Sequence, residues 1–260
     1  MVRILRTKLK LPSTIMEPFS ETTWKYTTSP NPEWTPGSGA SNDEWKKYKK
    51  IAIDPYDSNR EPVDNYKMLI SAVVPRPIGF VSTVSTNGMK NLAPFSYFTV
   101  MNHDPPIFSL GFSAMTGKYK DTCANILQTG ELTISIISEW FLEAANFCAI
   151  NAPSEIDEWE LSGLTPVESQ KVKPPHVAES AFSIEAKLVS HHEWKSKSNP
   201  ELTSGVTCLV EGINFHARED VVDEEKKILD ISKLKPVSRL GGITYGRTTE
   251  GYQLPRPSYK

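Results

Sequence analysis

Residues 117–122, with the sequence GKYKDT, have the side chains and the position of a phosphate-binding loop. They lead into a predicted helix, and helix N-termini present unpaired N–H groups and a positive dipole end that favour a phosphate. Lys118, Lys120 and the hydroxyl of Thr122 fit that role. The carboxylate of Asp121 would repel a phosphate, so we expect it to cap the helix or to order the loop. A capped surface helix with two solvated lysines is the alternative explanation.

Residues 91–96, NLAPFS, carry groups that suit a planar heterocyclic ligand. Pro94 lies within a predicted strand, where it breaks the hydrogen-bond ladder and frees neighbouring backbone N–H and C=O groups. Such groups suit the uracil-like edge of a flavin ring. Asn91 and Ser96 add polar side chains, and Phe95 adds an aromatic surface. A β-bulge at the rim of a barrel explains the same residues.

Residues 74–78, VPRPI, form a third candidate segment. Two prolines hold the backbone extended around Arg76, so the segment can lie beside a planar ligand while Arg76 reaches an anionic or carbonyl edge. The alternative is the entry to an edge strand with a solvated arginine.

Other catalytic chemistries have little support in the sequence, and no metal site is predicted. The cysteines Cys123, Cys148 and Cys208 form no C-x-x-C pair, which argues against a disulfide framework and a structural zinc site. His191 and His192 are adjacent in a predicted strand and therefore point to opposite faces. The chain lacks the G-x-S-x-G, G-x-G-x-x-G and P-loop motifs.

Composition excludes some partners. Lys plus Arg number 29 against 31 for Asp plus Glu, a net charge of −2, so we expect no general binding to nucleic acid or to an anionic membrane. No apolar run approaches the roughly 20 residues of a membrane span. The basic segment 1–14 fits a frayed terminus or an organellar transit peptide. We expect a cytoplasmic protein, with organellar targeting as the alternative.

Short strands in hairpins, with a few helices, must position these segments. Asp64 is expected to cap a helix over 65–73 with an apolar stripe, and a turn is expected at 85–88. Further helices are predicted from 121 or 122 to Gly130 and over 139–150, with a loop over 151–175. Strands are predicted at 78–84, 89–100, 107–112, 131–138, 182–192, 206–216 and around 243–245.

This pattern predicts a mainly antiparallel β-barrel with a few peripheral helices. Residues 1–60 differ, because they are rich in proline and carry Trp24, Trp34 and Trp45. We interpret them as an irregular arm whose tryptophans lie on the body or on a partner subunit. The expected division is an arm over 1–60, a domain over 61–250 and a tail over 251–260.

The order and spacing of PRPI, NLAPFS, DPP, KDT, ELTISIISE and EWELSGLTP resemble the flavin reductase-like family, whose members bind FMN on a split β-barrel. The resemblance covers roughly residues 60–250, and the arm is similar to an extension of some relatives. It implies that the FMN site contains Arg76, Pro77 and Ile78 beside the ring, Ser82 and Thr83 near the ribityl chain or phosphate, Asn91, Ala93, Pro94, Phe95 and Ser96 at the isoalloxazine, and Lys120, Asp121 and Thr122 at the phosphate. Relatives usually have arginine at His176, and Arg239 matches the closing segment of the family.

The resemblance implies a homodimeric oxidoreductase in which NAD(P)H reduces a flavin that passes electrons onward. Because the cofactor carries this chemistry, no catalytic acid, base or nucleophile is named. An FMN-binding electron carrier or module without nicotinamide activity is one alternative. A pyridoxamine-phosphate-oxidase-like enzyme on the same barrel is another, and a purely structural or interaction protein is a third.

Overall fold

The computed structural model describes residues 17–114 and 117–259. The strands are β1 (Lys25–Tyr26), β2 (Gly79–Val84), β3 (Lys90–Phe95), β4 (Phe98–His103), β5 (Pro106–Ser113), β6 (Glu131–Ile136), β7 (Pro166–Val167), β8 (His176–Val177), β9 (Phe182–Lys195), β10 (Thr203–Ala217), β11 (Val237–Arg239), β12 (Tyr245–Arg247) and β13 (Glu250–Gly251). The helices are α1 (Pro62–Ala72), α2 (Asp121–Thr129), α3 (Leu142–Phe147), α4 (Glu158–Ser162) and α5 (Ile231–Leu234), with 3₁₀ turns at Glu44–Lys47 and Glu139–Phe141.

Seven strands form one antiparallel sheet in the order β3-β2-β6-β9-β10-β5-β4. The two end strands, β3 and β4, are separated in the chain by Ser96 and Tyr97 alone, so the sheet must curl until its ends meet. Gly111 permits this corner, because its N–H donates to the Tyr97 carbonyl at 2.7 Å and a Cβ on it would lie 2.9 Å from Tyr97 Cβ. The mainly antiparallel β-barrel predicted from the sequence is confirmed.

Two hydrophobic cores lie on opposite sides of β2. Val81 faces the barrel interior with Leu110 and Ile134, whereas Phe80 packs outside against Phe141 and Trp159. Because side chains alternate along a strand, β2 is buried on both faces and holds α3 and α4 against the barrel wall. This outer layer forms one side of the cavity described below.

Local signals in the sequence explain several element ends. Gly88 has a φ of 87°, and the Ser85 N–H donates to the Met89 carbonyl at 2.9 Å, which closes the predicted turn. Gly130 has a φ of 72° and ends α2, where its N–H donates to the Ile126 carbonyl. Both turns were predicted from the sequence and are confirmed.

The first helix differs from its prediction. It begins at Pro62, because proline fits the first turn of a helix, and Asp64 lies inside that turn with Glu61 as the N-cap residue. The helix buries Ile70, while the predicted stripe residues Met68 and Leu69 are exposed. The apolar stripe therefore faces away from the body of the chain.

One predicted strand and one predicted helix are each divided into two elements in the structure. The strand expected over 89–100 is β3 plus β4, since the chain turns the barrel corner at Ser96 and Tyr97. The helix expected over 139–150 is a 3₁₀ turn followed by α3. The loop expected over 151–175 contains α4, which Asp157 caps by accepting from the Trp159 N–H at 2.8 Å.

The described part of the arm, residues 17–60, is mostly exposed and irregular. Trp24 lies on the body, where its ring packs against Gly251 beside the β1–β13 pair. Trp34 and Trp45 are 49% and 64% exposed, so they do not lie on the body. The basic segment 1–14 is outside the described residues. No helix in the described ranges has the length and apolar character to span a bilayer.

A strap, residues 169–177, covers the outer face of β6, β9 and β10 and is fixed by Glu185. This fully buried carboxylate accepts backbone N–H groups from Gln170, Lys171 and Val172 at 2.6–3.2 Å. It also accepts from Asn214 Nδ2 at 2.9 Å and contacts His216 Nε2 at 2.5 Å. Burial opposes the charge, but these hydrogen bonds outweigh it and lower the pKa of Glu185 to about 2.

Candidate functional site

A cavity of about 440 Å³ lies between β3, the start of α2 and the outer helical layer. It is lined by Asn91, Ala93, Pro94, Phe95, Tyr119, Lys120, Asp121, Thr122, Cys148, Ala149, Ile150, Asn151, Ala152, Pro153 and Glu158. Seven of the residues that the sequence singled out therefore meet at one place, although they come from two distant segments. The volume is within the usual range for small-molecule sites.

A buried hydrogen-bond network joins these two segments. Asn91 Nδ2 donates to Thr122 Oγ1 at 2.7 Å, which links β3 to the first turn of α2. Asn125 Nδ2, one turn later in α2, donates to Thr83 Oγ1 at 3.0 Å and so links the helix to β2. Because all four residues are buried, these bonds form in a low-dielectric environment and fix the helix start against the strand.

The start of α2 has the properties of an anion site. Lys120 is its N-cap residue, and no side chain among the described residues caps the helix. The expectation that Asp121 caps it is therefore wrong, because Asp121 is already the first helical residue. Lys120 Nζ donates to Asn151 Oδ1 at 3.0 Å at the cavity wall, whereas Lys118 does not line the cavity. Uncapped N–H groups, the helix dipole and one ammonium group all favour a phosphate here.

The outer edge of β3 forms the second side of the cavity. β3 ends the seven-stranded sheet, so Pro94, which pairs with Phe80 of β2 on its inner side, removes no hydrogen bond from a central ladder. Phe95 packs edge-on against Phe112 with ring centroids 4.7 Å apart. A strand edge with backbone polar groups beside an immobilised aromatic ring suits a planar heterocycle.

A smaller cavity of about 180 Å³ continues the site towards β11 and β12. It shares Pro94 and Ala149 with the larger cavity, and its other lining residues are Ile78, Ser96, Asn146, Arg239 and Tyr245. The Arg239 guanidinium lies 4.4 Å from the centre of the Tyr245 ring, and Tyr245 OH donates to Asn146 Oδ1 at 2.7 Å. Ile78, Ser96 and Arg239 thus lie at this end of the site.

The remaining predicted residues lie outside both cavities. Arg76 is buried and donates to the carbonyls of Ile70, Val73 and Leu240, so the alternative of a solvated arginine is wrong. Its guanidinium joins the end of α1 to Leu240, which lies between β11 and β12. Pro77 is exposed, and Ser82 and Thr83 are buried in β2.

The sequence did not predict the wall formed by Cys148, residues 149–153 and Glu158. Cys148 is buried, and this burial raises the pKa of its thiol to about 11, so it is protonated at neutral pH. Burial also raises the pKa of Glu158, with a smaller contribution from the charges of Asp157 and Asp121. Asp157 two residues before Trp159 was the helix-start signal that could have located this wall.

Within 17–114 and 117–259, no three His, Cys, Asp or Glu residues are arranged to hold a metal ion. His191 and His192 are exposed on β9. His176 of the strap stacks on His216 of β10 with ring centroids 4.2 Å apart, and neither residue lines the two cavities. The His176 Nδ1 atom is buried without a partner among the described residues.

Comparison with known proteins finds relatives in both sequence and structure. The chain is 35% identical over 195 residues to an uncharacterized protein, YwrF, of Bacillus subtilis (strain 168), which covers 75% of this chain and 94% of the relative. It is similar to the crystal structure of nitrilotriacetate monooxygenase component B from Bacillus cereus, with 30% identity and a TM-score of 0.74. That match covers 80% of this chain and all of the other.

A second solved structure, the 2-nitrobenzoate 2-nitroreductase NbaA of Pseudomonas fluorescens, is 27% identical with a TM-score of 0.70 and covers 82% of this chain and 98% of that one. A protein with a split barrel domain from Shewanella frigidimarina NCIMB 400 is 22% identical with a TM-score of 0.64, over 78% of this chain and 95% of that one. This likeness shows that the barrel is of the split type. The profile of the flavin reductase-like domain matches residues 71–231. The chain belongs to the flavin reductase-like domain family.

Proposed function

We propose that this protein is an FMN-binding oxidoreductase of flavin reductase type. The observation that carries the proposal is the Asn91–Thr122 hydrogen bond, because it joins a helix start suited to a phosphate to a strand edge suited to a flavin ring. Bound flavin would accept hydride from NAD(P)H and pass electrons onward. Two proteins of similar structure, a monooxygenase component and a nitroreductase, also support redox chemistry.

The chain's own residues would bind and orient the cofactor. Lys120 and the first N–H groups of α2 would hold the phosphate, and Thr122 would fix the helix start through Asn91. Ala93, Pro94 and Phe95 would contact the ring along the edge of β3. A single helix start suits one phosphate, which favours FMN over a dinucleotide. The wall from Cys148 to Pro153 would exclude water from one side of the ring.

Flavin titration tests the binding proposal. We expect the purified protein to be yellow, or to quench the fluorescence of added FMN. A colourless protein that leaves FMN fluorescence unchanged would refute the proposal. NADH or NADPH added anaerobically should then bleach the bound flavin. If neither nucleotide bleaches it, the protein is an electron carrier or a flavin-binding module instead.

A double substitution tests the phosphate position. Lys120→Ala with Thr122→Ala should weaken FMN roughly 10-fold to 100-fold, since it removes a charged contact and loosens the helix start. Riboflavin, which lacks the phosphate, should lose far less affinity. Lys118→Ala is the matched control, because Lys118 precedes the same helix but does not line the cavity. Equal losses for both ligands would contradict the phosphate assignment.

We also propose that the chain forms a homodimer. Val100 and Met101 are 63% and 59% exposed on β4, an end strand of the sheet, and Met68 and Leu69 are exposed on α1. Exposed apolar residues on a strand edge are typical of an interface between subunits. Light scattering of the full chain tests the dimer. The same measurement on a chain that lacks residues 1–58 tests whether the arm helps to form the dimer. An unchanged dimer would show that it does not.

A further inference from the structure

We propose that Glu158 binds a hydroxyl group of the ligand's sugar-alcohol chain, between the phosphate position and the ring position. The inference rests on the proposed flavin-binding function and adds a ligand contact that neither the spacing of the motifs nor the family match assigns. It rests on the position of Glu158 in the cavity, on the hydrogen bonds that its two carboxylate oxygens accept, and on the charges of the neighbouring residues.

Glu158 lines the cavity and contacts β3 between the two proposed ligand positions. Its Oε2 atom accepts the backbone N–H of Leu92 at 3.2 Å, and Leu92 separates Asn91 from Ala93 in β3. Asn91 contacts the helix start at Thr122, whereas Ala93 begins the stretch of strand edge that suits the ring. A ligand that spans these two positions must therefore pass the Glu158 carboxylate.

The second carboxylate oxygen, Oε1, accepts no hydrogen bond from another residue in the described part of the chain. Glu158 is buried and lines the cavity, its Oε2 atom accepts the Leu92 N–H, and its own backbone N–H adds a hydrogen bond to the carboxylate. A buried carboxylate is costly unless its oxygens accept hydrogen bonds, and burial raises the pKa of Glu158 accordingly. A ligand donor at this point would satisfy Oε1.

The surroundings select a neutral donor. The Glu158 carboxylate and the neighbouring Asp157 both contribute negative charge at this point, so the phosphate itself is disfavoured there. The ammonium group among the cavity-lining residues, on Lys120, donates to Asn151, and the Cys148 thiol is protonated. A hydroxyl meets the requirement, because it donates to a carboxylate and carries no charge. The ribityl chain of a flavin has such hydroxyls between its ring and its phosphate.

The test compares three ligands, namely FMN, riboflavin and lumiflavin, which has the ring without the ribityl chain. Glu158→Ala should weaken FMN and riboflavin by roughly 10-fold to 100-fold, the usual effect of losing a hydrogen bond to a charged group. Lumiflavin should change less than about 3-fold by the same reasoning. Glu160→Ala, an exposed carboxylate in the same helix, is the control and should change none of them.

Glu158→Gln covers the case in which the alanine variant does not fold, because it keeps an oxygen for the Leu92 N–H. It should weaken FMN and riboflavin by about 3-fold to 10-fold and leave lumiflavin unchanged. Equal losses for all three ligands, or no loss for any, would overturn the inference while leaving flavin binding intact. A wild-type protein that binds none of the three ligands would overturn the proposed function itself.

Discussion

Two buried glutamates, Glu185 under the strap and Glu158 at the cavity, have the same side chain and opposite environments. Glu185 accepts hydrogen bonds from three backbone N–H groups and from Asn214, and it contacts His216. In the described part of the chain, the Glu158 carboxylate accepts from one other residue, through the Leu92 N–H. The pKa of Glu185 is accordingly lowered to about 2, whereas burial raises the pKa of Glu158.

The comparison distinguishes a carboxylate that stabilises the fold from one that can still bind a ligand. A buried carboxylate that is fully hydrogen-bonded stabilises the charged form and fixes the backbone around it. A carboxylate that is buried but only partly bonded retains capacity for a ligand, at a cost to the free energy of folding. Burial alone therefore does not identify a functional carboxylate in this chain, and the number of donors around it does.

The largest expected effect is from Glu185→Ala. It leaves several buried donors of the strap without an acceptor, so the free energy of unfolding should fall by about 3–5 kcal/mol. Urea denaturation measures this change. Glu131→Ala is the matched control, because Glu131 accepts the Lys173 N–H at 3.0 Å in a more exposed position, and it should cost about 1 kcal/mol. Similar losses for the two variants would contradict the structural role of Glu185.

The two glutamates should also give stability changes of opposite sign with pH. The pKa of Glu185 falls from 4.5 to about 2 on folding, so its stabilisation is present above pH 4.5 and is lost as the pH falls towards 2. The pKa of Glu158 rises on folding, so its contribution is most favourable below pH 4.5 and is lost as the pH rises through its folded value. Unfolding curves of Glu185→Gln and Glu158→Gln, each compared with wild type across pH 2–7, would reveal the two slopes. Slopes of the same sign would remove the distinction.

A smaller effect is expected for Glu158→Gln at neutral pH. Replacing a partly bonded buried charge with an amide removes its desolvation cost, so the free energy of unfolding should stay constant or rise by up to about 1 kcal/mol. Thermal unfolding at pH 7 without flavin measures this. A drop of the size expected for Glu185→Ala would mean that Glu158 is mainly structural.

The smallest effect concerns His176, whose ring stacks on His216 and whose buried Nδ1 has no partner among the described residues. His176→Phe keeps the stacked ring and removes the unpaired atom, so we expect a gain of about 0.5 kcal/mol in the free energy of unfolding. A loss above about 1 kcal/mol would show that the imidazole itself supports the Glu185 cluster.

Local patterns were sufficient to predict much of the fold. Strand alternation and the turn residues Gly88 and Gly130 located most elements, and the NLAPFS and KDT segments supplied part of the cavity lining. These signals depend on residues that are close together in the chain, so they can be read from a single sequence. The split of the strand 89–100 could not be predicted in this way, because it depends on the contact between Tyr97 and Gly111 across the barrel.

The rest of the site depends on long-range contacts. The side chain of Arg76 has its acceptors at Ile70 and Val73 and at Leu240, 164 positions away, which no local pattern reveals. Glu158 becomes a cavity residue because Trp159 anchors α4 in the outer core. Its neighbour in space, Leu92, is 66 positions away in sequence.

Chain order and sheet order differ in this barrel, and the difference determines when it can close. β5 and β6 are consecutive strands, yet β9 and β10 lie between them in the sheet. A nascent chain that has not yet reached residue 217 thus has two unpaired inner edges beside apolar residues such as Leu110 and Ile134. The barrel therefore cannot close before β10 has been synthesised, and until then these two edges can pair with another chain.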